Sequence, residues 1–292
     1  MADNYIQPNG TLKNLIGIDS PDALATAEGD YVPARREEWD AGQVSKPAAF
    51  DETYLRALHK HLFQDIFEWA GRTRDEPVRL SDGTTAQMPV MYKPGSKPFL
   101  MGPFIKPELT ALFTGLKASK YLQGLDRDAF ANKAADVFTR LNTIHPFREG
   151  NGRTQRTLIC DIAIAAGHTL DFSVVSSERN IDVSIRSGDG DLEAMRRLFR
   201  EIATPERVEA LRFAQQSLAR NNFPWRDRYI ATTEPGHRYE QVTLVGVAGN
   251  QFMARTDKQI LVGWKADLPP TLPENGKTFS FTATAPSSDI DC

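Results

Sequence analysis

The sequence predicts a mainly α fold: a helical bundle that carries one β-hairpin, followed by a small five-stranded β-barrel or sandwich. Three observations carry this prediction. Apolar residues recur at three- and four-residue steps through most of 50–220. The stretch 72–103 has no helical period and is punctuated by Gly and Pro. Beyond 223 the pattern changes to short β-branched runs separated by turn residues.

Residues 1–48 are rich in Pro, Gly, Asp and Ala, which predicts a segment wrapping a core, with one short helix around 22–27. Leu55, Leu58, Leu62, Ile66 and Trp69 predict an amphipathic helix of about twenty residues, N-capped by Asp51 and ended by Gly71. Ser81-Asp82-Gly83 marks a hairpin turn, and Lys93-Pro94-Gly95-Ser96-Lys97-Pro98 marks a loop after it. Helices resume over 107–116 and 126–142, the second with Phe130, Val137, Phe138 and Leu141 as its buried stripe. A strongly apolar helix follows over 151–166, stopped by Gly167, and then helices over 176–187, 191–202 and 205–219. Strands are predicted at 229–233, 241–246, 251–255, 259–264 and 277–284. The chain therefore reads as a helical domain over 1–222 with an N-terminal extension, and a β domain over 223–292.

Composition bounds the function. The 292 residues are 40% apolar, too many for wholesale disorder. The 35 basic and 38 acidic residues give a net charge of −3, which argues against a global grip on nucleic acid or on an anionic membrane. Cys160 and Cys292 are the only cysteines, too few for a disulfide scaffold or a four-cysteine zinc site, and they suit a reducing compartment. No apolar stretch near Met1 resembles a signal peptide, and the apolar run 157–166 is broken by Asp161 and too short to span a bilayer. A cytosolic-type protein is expected. Three further patterns are set aside. Gly276-Lys277-Thr278 lacks the P-loop glycine at 271, and Asp189-Gly190-Asp191 misses EF-hand spacing, leaving Asp191 as a helix cap. His59 and His61 lie two apart on a helix, hence on different faces. Cys160 is expected in the core.

The chemistry concentrates at 145–156, His-Pro-Phe-Arg-Glu-Gly-Asn-Gly-Arg-Thr-Gln-Arg. Pro146 and Gly150 keep 145–150 out of regular helix, so these residues form a loop feeding a helix that opens near Asn151. Gly150-Asn151-Gly152 has little bulk, and successive N–H groups there can converge on an anion. Arg153 and Arg156 occupy the first turns, where the helix dipole disfavours cations by about 0.3–1 kcal/mol each. A multivalent anion would offset that, and guanidinium forks suit phosphate oxygens. Glu149 would add a carboxylate for Mg²⁺, and His145 a group whose ordinary pKa near 6.5 suits proton abstraction. Each part also has a plain structural reading: a histidine before proline, a carboxylate serving the dipole, a Gly-Asn-Gly turn.

The segment resembles the Fic-family signature H-x-F-x-[DE]-G-N-G-R-x-x-R at all eight specified positions. At average residue usage a chance match in such a chain is on the order of one in 10⁷. The resemblance covers roughly residues 50–220 and implies a Fic-type helical bundle whose hairpin, about 72–103, is the flap that clamps a target segment by strand addition. It implies a protein adenylyltransferase that moves AMP from ATP to a Ser, Thr or Tyr hydroxyl of a target, a host protein such as a small GTPase. His145 would be the general base and Glu149 the Mg²⁺ ligand. Gly150, Asn151 and Gly152 would form the anion hole, and Arg153 and Arg156 would hold the β and γ phosphates. Phe147 would anchor the loop. The alternatives left open are a transferase of another nucleotide or group, and a non-catalytic protein-binding module.

Further expectations follow from the resemblance. The inhibitory signature [ST]-x-x-x-E-[GN] finds no match, because Glu28-Gly29 has Leu24 where Ser or Thr is required. A small antitoxin-like inhibitor acting in trans at Arg156 is therefore expected. The β region is similar to the OB-fold domain of type IV secreted bacterial effectors, on Tyr-Ile-Ala-Thr-Thr-Glu-Pro-Gly-His at 229–237 and Val-Gly-Val-Ala-Gly-Asn-Gln-Phe-Met at 245–253. Its sparse basic residues suit a scaffold role better than nucleic-acid binding. The implied location is the bacterial cytoplasm, with translocation into a host cell. A long flap with Lys93 and Lys97 is expected to select an acidic target surface.

Overall fold

The computed structural model describes residues 4–92, 98–271, 273–274 and 276–285. Lys93, Lys97 and the chain end from 286 lie outside the described residues. By contact density the chain divides into two compact units, 1–126 with 133–168 and 127–132 with 169–292. All three α-helices after Gly167 therefore group with the C-terminal sheet by contact, while the sequence reading draws its domain boundary at 222.

In the first unit, α1 (Pro21–Asp40) is a twenty-residue helix where only 22–27 was expected. Ser20 caps it, accepting from the Ala23 amide at 3.4 Å. The local signal is weak because Gly29 and Pro33 are poor helix formers and Glu28 interrupts the Leu24/Val32 stripe. α2 (Glu52–Phe63) starts at the expected cap, with Asp51 accepting from the Tyr54 amide at 3.0 Å. It ends eight residues before Gly71. Ile66 N–H bonds Phe63 O, Ala70 N–H bonds Phe67 O and Arg72 N–H bonds Trp69 O, so a string of tight turns keeps the apolar spacing without a helix. Leu55, Leu58, Leu62, Ile66 and Trp69 are all buried, each worth about 1.5–3 kcal/mol of transfer free energy.

The hairpin is short. β1 (Val78–Arg79) pairs antiparallel with β2 (Thr85–Ala86), Val78 opposite Ala86. Asp82 stabilises the turn by accepting from the Thr84 amide and hydroxyl, and Lys13 pairs with it at 2.7 Å. α3 (Gly102–Ala118) begins five residues before its expected start, with Pro103 in its first turn. α4 (Arg127–Ile144) gives its first six residues to the second unit and the rest to the first. Phe130, Phe138 and Leu141 are buried on it as expected, while Val137 is half-buried and Ala131, Ala134 and Ala135 complete the inner face.

α5 (Asn151–Ala165) carries the motif. Asp161, the polar break in its apolar run, accepts from Trp39 Nε1 at 2.9 Å and from the Tyr54 hydroxyl at 2.7 Å. One buried carboxylate thus pins α1, α2 and α5 together. Cys160 is half-buried rather than in the core, and burial raises its thiol to about 11.

The second unit holds α6 (Ser177–Gly188), α7 (Leu192–Ala203) and α8 (Pro205–Arg220), followed by five strands. Ser176 and Asp191 cap α6 and α7 through their side chains. The strands are β3 (Ile230–Thr232), β4 (Arg238–Ala248), β5 (Gln251–Arg255), β6 (Ile260–Trp264) and β7 (Thr278–Thr282). Their order is β3-β6-β5-β4-β7, with β3 and β6 parallel and the other pairs antiparallel. Tyr239, Val242, Leu244, Phe252, Leu261 and Phe281 form their core. Among the described residues no helix is long and apolar enough to cross a membrane.

Candidate active site

The motif occupies the turn between α4 and α5, within the first unit. His145 follows directly on α4 and adopts φ +47°, so the chain leaves the helix sharply. This left-handed backbone is uncommon outside glycine. Gly150 is the N-cap of α5 at φ +79°, and a Cβ there would meet the Phe63 ring at 2.4 Å. Glycine is needed on both counts.

The loop between them is tied internally. The Phe147 amide donates to Asn151 Oδ1 at 2.9 Å, and Asn151 Nδ2 donates to the Phe147 carbonyl at 2.7 Å. Asn151 therefore spends its side chain on loop geometry. Phe147 is buried and stacks on His59 with ring centroids 3.8 Å apart. His59 Nδ1 accepts from the Gly71 amide at 2.8 Å, which fixes the proton on Nε2, and Nε2 donates to the Glu149 carbonyl at 2.9 Å. Burial drives the His59 pKa down to about 3. His61 is engaged elsewhere, with Nε2 2.9 Å from the Arg35 carbonyl.

The His145 ring is buried and stacks on Phe99 at 3.7 Å with planes 9° apart. Its carbonyl accepts from Arg74 Nε at 2.9 Å. The Glu149 side chain is part exposed, and its Oε1 accepts from the Gly150 amide at 2.8 Å.

The two motif arginines differ. Arg153 forms an ion pair with Glu28 of α1, lies 3.4 Å from Glu149 and sits 4.7 Å over the Phe63 ring. Burial raises the Glu28 pKa, and Arg153 pulls it only part of the way back. Arg156 makes no hydrogen bond or ion pair among the described residues. Burial first, then Arg153 and Arg36, press its pKa below the ordinary arginine range. A half-buried guanidinium beside two others is a site for a polyanion.

The motif places all seven proposed site residues on one junction. Three neighbours carry no signal within the motif itself: His59, Arg74 and Glu28. The Glu28-Gly29 pair was visible, yet its carboxylate meets Arg153 and not Arg156. A separate concavity of about 620 Å³ lies in the second unit, lined by Leu218, Phe223, Tyr229, Leu244 and Ile260 among others, and includes no motif residue.

Known proteins resemble this chain in sequence and in fold. The model of the Fic/DOC family matches residues 49–163. A protein named protein adenylyltransferase from Bartonella henselae is 37% identical over 290 residues, 96% of this chain but 52% of its own length. The chain thus spans about half of that relative. Among solved structures, the type IV secretion system effector protein BepA aligns over 97% of this chain and 96% of its own, at 34% identity and a TM-score of 0.87. BepC from Bartonella tribocorum, solved with bound AMPPNP, aligns over 70% and 98% at 40% identity and a TM-score of 0.67. A loop closed by Asn151, a helix opened by Gly150 and a shared architecture across nearly the whole length make this chain a member of the Fic/DOC family.

Proposed function

We propose that the chain transfers AMP from ATP to a Ser, Thr or Tyr hydroxyl of a target protein. The observation that carries this reading is the Arg156 guanidinium, half-buried beside Arg153 and without an anionic partner among the described residues. Two such cations at a glycine-opened helix N-terminus call for a polyphosphate. In this reading Arg153 and Arg156 hold the β and γ phosphates, and the backbone of Gly150, Asn151 and Gly152 forms the anion hole. His145 takes the proton of the target hydroxyl as its oxygen bonds the α-phosphorus and pyrophosphate leaves in line. Glu149, a part-exposed hard carboxylate at the same junction, fits a Mg²⁺ ligand, and a bound ion would neutralise phosphate charge. The names of the Bartonella relatives and the AMPPNP bound to one of them support the choice of nucleotide.

The β1–β2 hairpin would receive the target segment by strand addition. We place the target among host proteins such as small GTPases. A small antitoxin-like protein in trans would compete at Arg156. The C-terminal sheet reads as an OB-like scaffold, and the chain as an effector made in the bacterial cytoplasm and translocated into a host cell.

Incubation with α- or γ-labelled ATP and host lysate, beside a His145→Ala variant, tests the reading. Label from α only, lost in the variant, is expected. Label from γ would mean phosphorylation, and none from either would favour a binding module.

A further inference from the structure

Arg74 is fully buried, yet it forms no ion pair among the described residues. Its guanidinium donates instead to backbone carbonyls. Nε reaches His145 O at 2.9 Å, and Nη1 reaches Met88 O and Pro89 O, each at 3.0 Å. Nη2 donates to Leu100 O and lies 3.5 Å from Ile144 O. The backbone joins in: the Arg74 amide donates to Pro146 O at 2.8 Å, and Met88 N–H donates to Arg74 O at 2.6 Å. Burial lowers its pKa to about 10, so the group stays charged at neutrality.

These carbonyls belong to two places with different tasks. Met88, Pro89 and Leu100 belong to the flap segment 72–103, while Ile144, His145 and Pro146 are the turn that presents the imidazole. One residue thus holds two successive carbonyls, His145 O and Pro146 O, immediately after the left-handed backbone of His145 at φ +47°. Residue 99 adds a second tie. Phe99 stacks on the imidazole, its amide donates to Met91 O at 2.9 Å, and the next amide, Leu100, donates to Thr143 O at 3.1 Å.

We propose that Arg74 is a positioning residue for the transfer, locking the flap to the His145 backbone so that a target docked on the flap meets an imidazole already aimed. The proposal rests on the AMP-transfer reading. A planar fork can serve carbonyls on both sides at once, whereas an ammonium on the same stem is a point donor. Arg74 touches none of the proposed phosphate ligands, so nucleotide binding is separable from positioning.

The test is self-labelling of the full chain from α-labelled ATP, with AMPPNP binding measured by calorimetry at a temperature well below melting. Arg74→Lys and Arg74→Gln are expected to lower the maximal rate ten- to hundredfold. The KM for ATP and the Kd for AMPPNP should stay within twofold, with Lys retaining more rate than Gln. A maximal rate within twofold of the parent chain in both variants would overturn the proposal. So would a parallel loss of AMPPNP binding, or failure of both variants to fold, since Arg74 would then be needed for the fold itself. A parent chain that takes no label from α-labelled ATP overturns the AMP-transfer reading instead, and Arg74's part in it falls with it.

Discussion

Glu28 of α1 and Arg153 in the first turn of α5 form an ion pair across 125 residues of sequence, with the Glu28 side chain only 10% exposed. The pair matches one of the two motif cations and leaves Arg156 without an anionic partner among the described residues. It also explains why α1 runs on past Ala27: Glu28 is tolerated on the buried stripe because a cation meets it there.

If Arg153 holds phosphate as proposed, a carboxylate on it competes with that phosphate. Glu28→Gln is expected to tighten AMPPNP binding roughly fivefold, equivalent to about 1 kcal/mol for a partly exposed pair. Calorimetry on the purified variant checks this. Weaker binding would mean that Glu28 orients Arg153 instead of occupying it.

Arg156 contributes no bond to the fold among the described residues. Arg156→Ala should therefore weaken AMPPNP binding on the order of 10–100-fold, as for loss of a charged hydrogen bond, with thermal stability nearly unchanged. A large drop in melting temperature would contradict this reading of the site.

His59 makes stability pH-dependent. Its pKa is about 3 in the fold, against 6.5 as the ordinary value, because burial first, and Arg153 after it, outweigh the hydrogen bond to the Glu149 carbonyl that favours the charged ring. The unfolded chain binds the proton first, so this contribution is complete above pH 6.5 and declines as pH falls towards 3. The slope approaches about 1.4 kcal/mol per pH unit from this group alone. Comparing urea unfolding at pH 7 and pH 5 in the parent chain and His59→Gln should show a shallower acid loss in the variant.

In the second unit Arg179 and Glu201 are each 1% exposed and meet in a two-pronged ion pair at 2.7 and 2.8 Å. Burial works to raise the Glu201 pKa, but Arg179 and Arg197 outweigh it and hold it at about 2. Glu201 also accepts the Thr232 amide, and Arg179 donates to Ile230 O, so the pair fastens β3. Glu201→Ala leaves that guanidinium buried without its carboxylate and should lose about 3–5 kcal/mol in chemical denaturation. A loss under 1 kcal/mol would show that the network is dispensable.

Helix ends with side-chain caps were legible within a residue or two, as Asp51, Ser176 and Asp191 show, because a cap is a contact between residues three apart. The strands from 230 onward were legible for a similar reason, since turn residues punctuate period-two runs. The end of α2 was not. Ile66 and Trp69 keep helical spacing while the backbone turns in separate three-residue steps, and spacing alone cannot tell the two apart. Within the site, the motif marked every residue proposed to touch nucleotide or metal. Arg74 escaped notice because a buried arginine satisfied by carbonyls leaves no mark at any fixed sequence distance.

The sequence by itself determined the loop and helix of 145–156, since Pro146, Gly150 and Asn151 act on their own neighbours through backbone conformation and short-range hydrogen bonds. Tertiary structure alone decided which cation is left without a counter-ion among the described residues and what holds the imidazole. Those outcomes depend on Glu28, Arg74 and Phe99 arriving from distant segments, and desolvation gives each contact its strength only once the chain has closed around it.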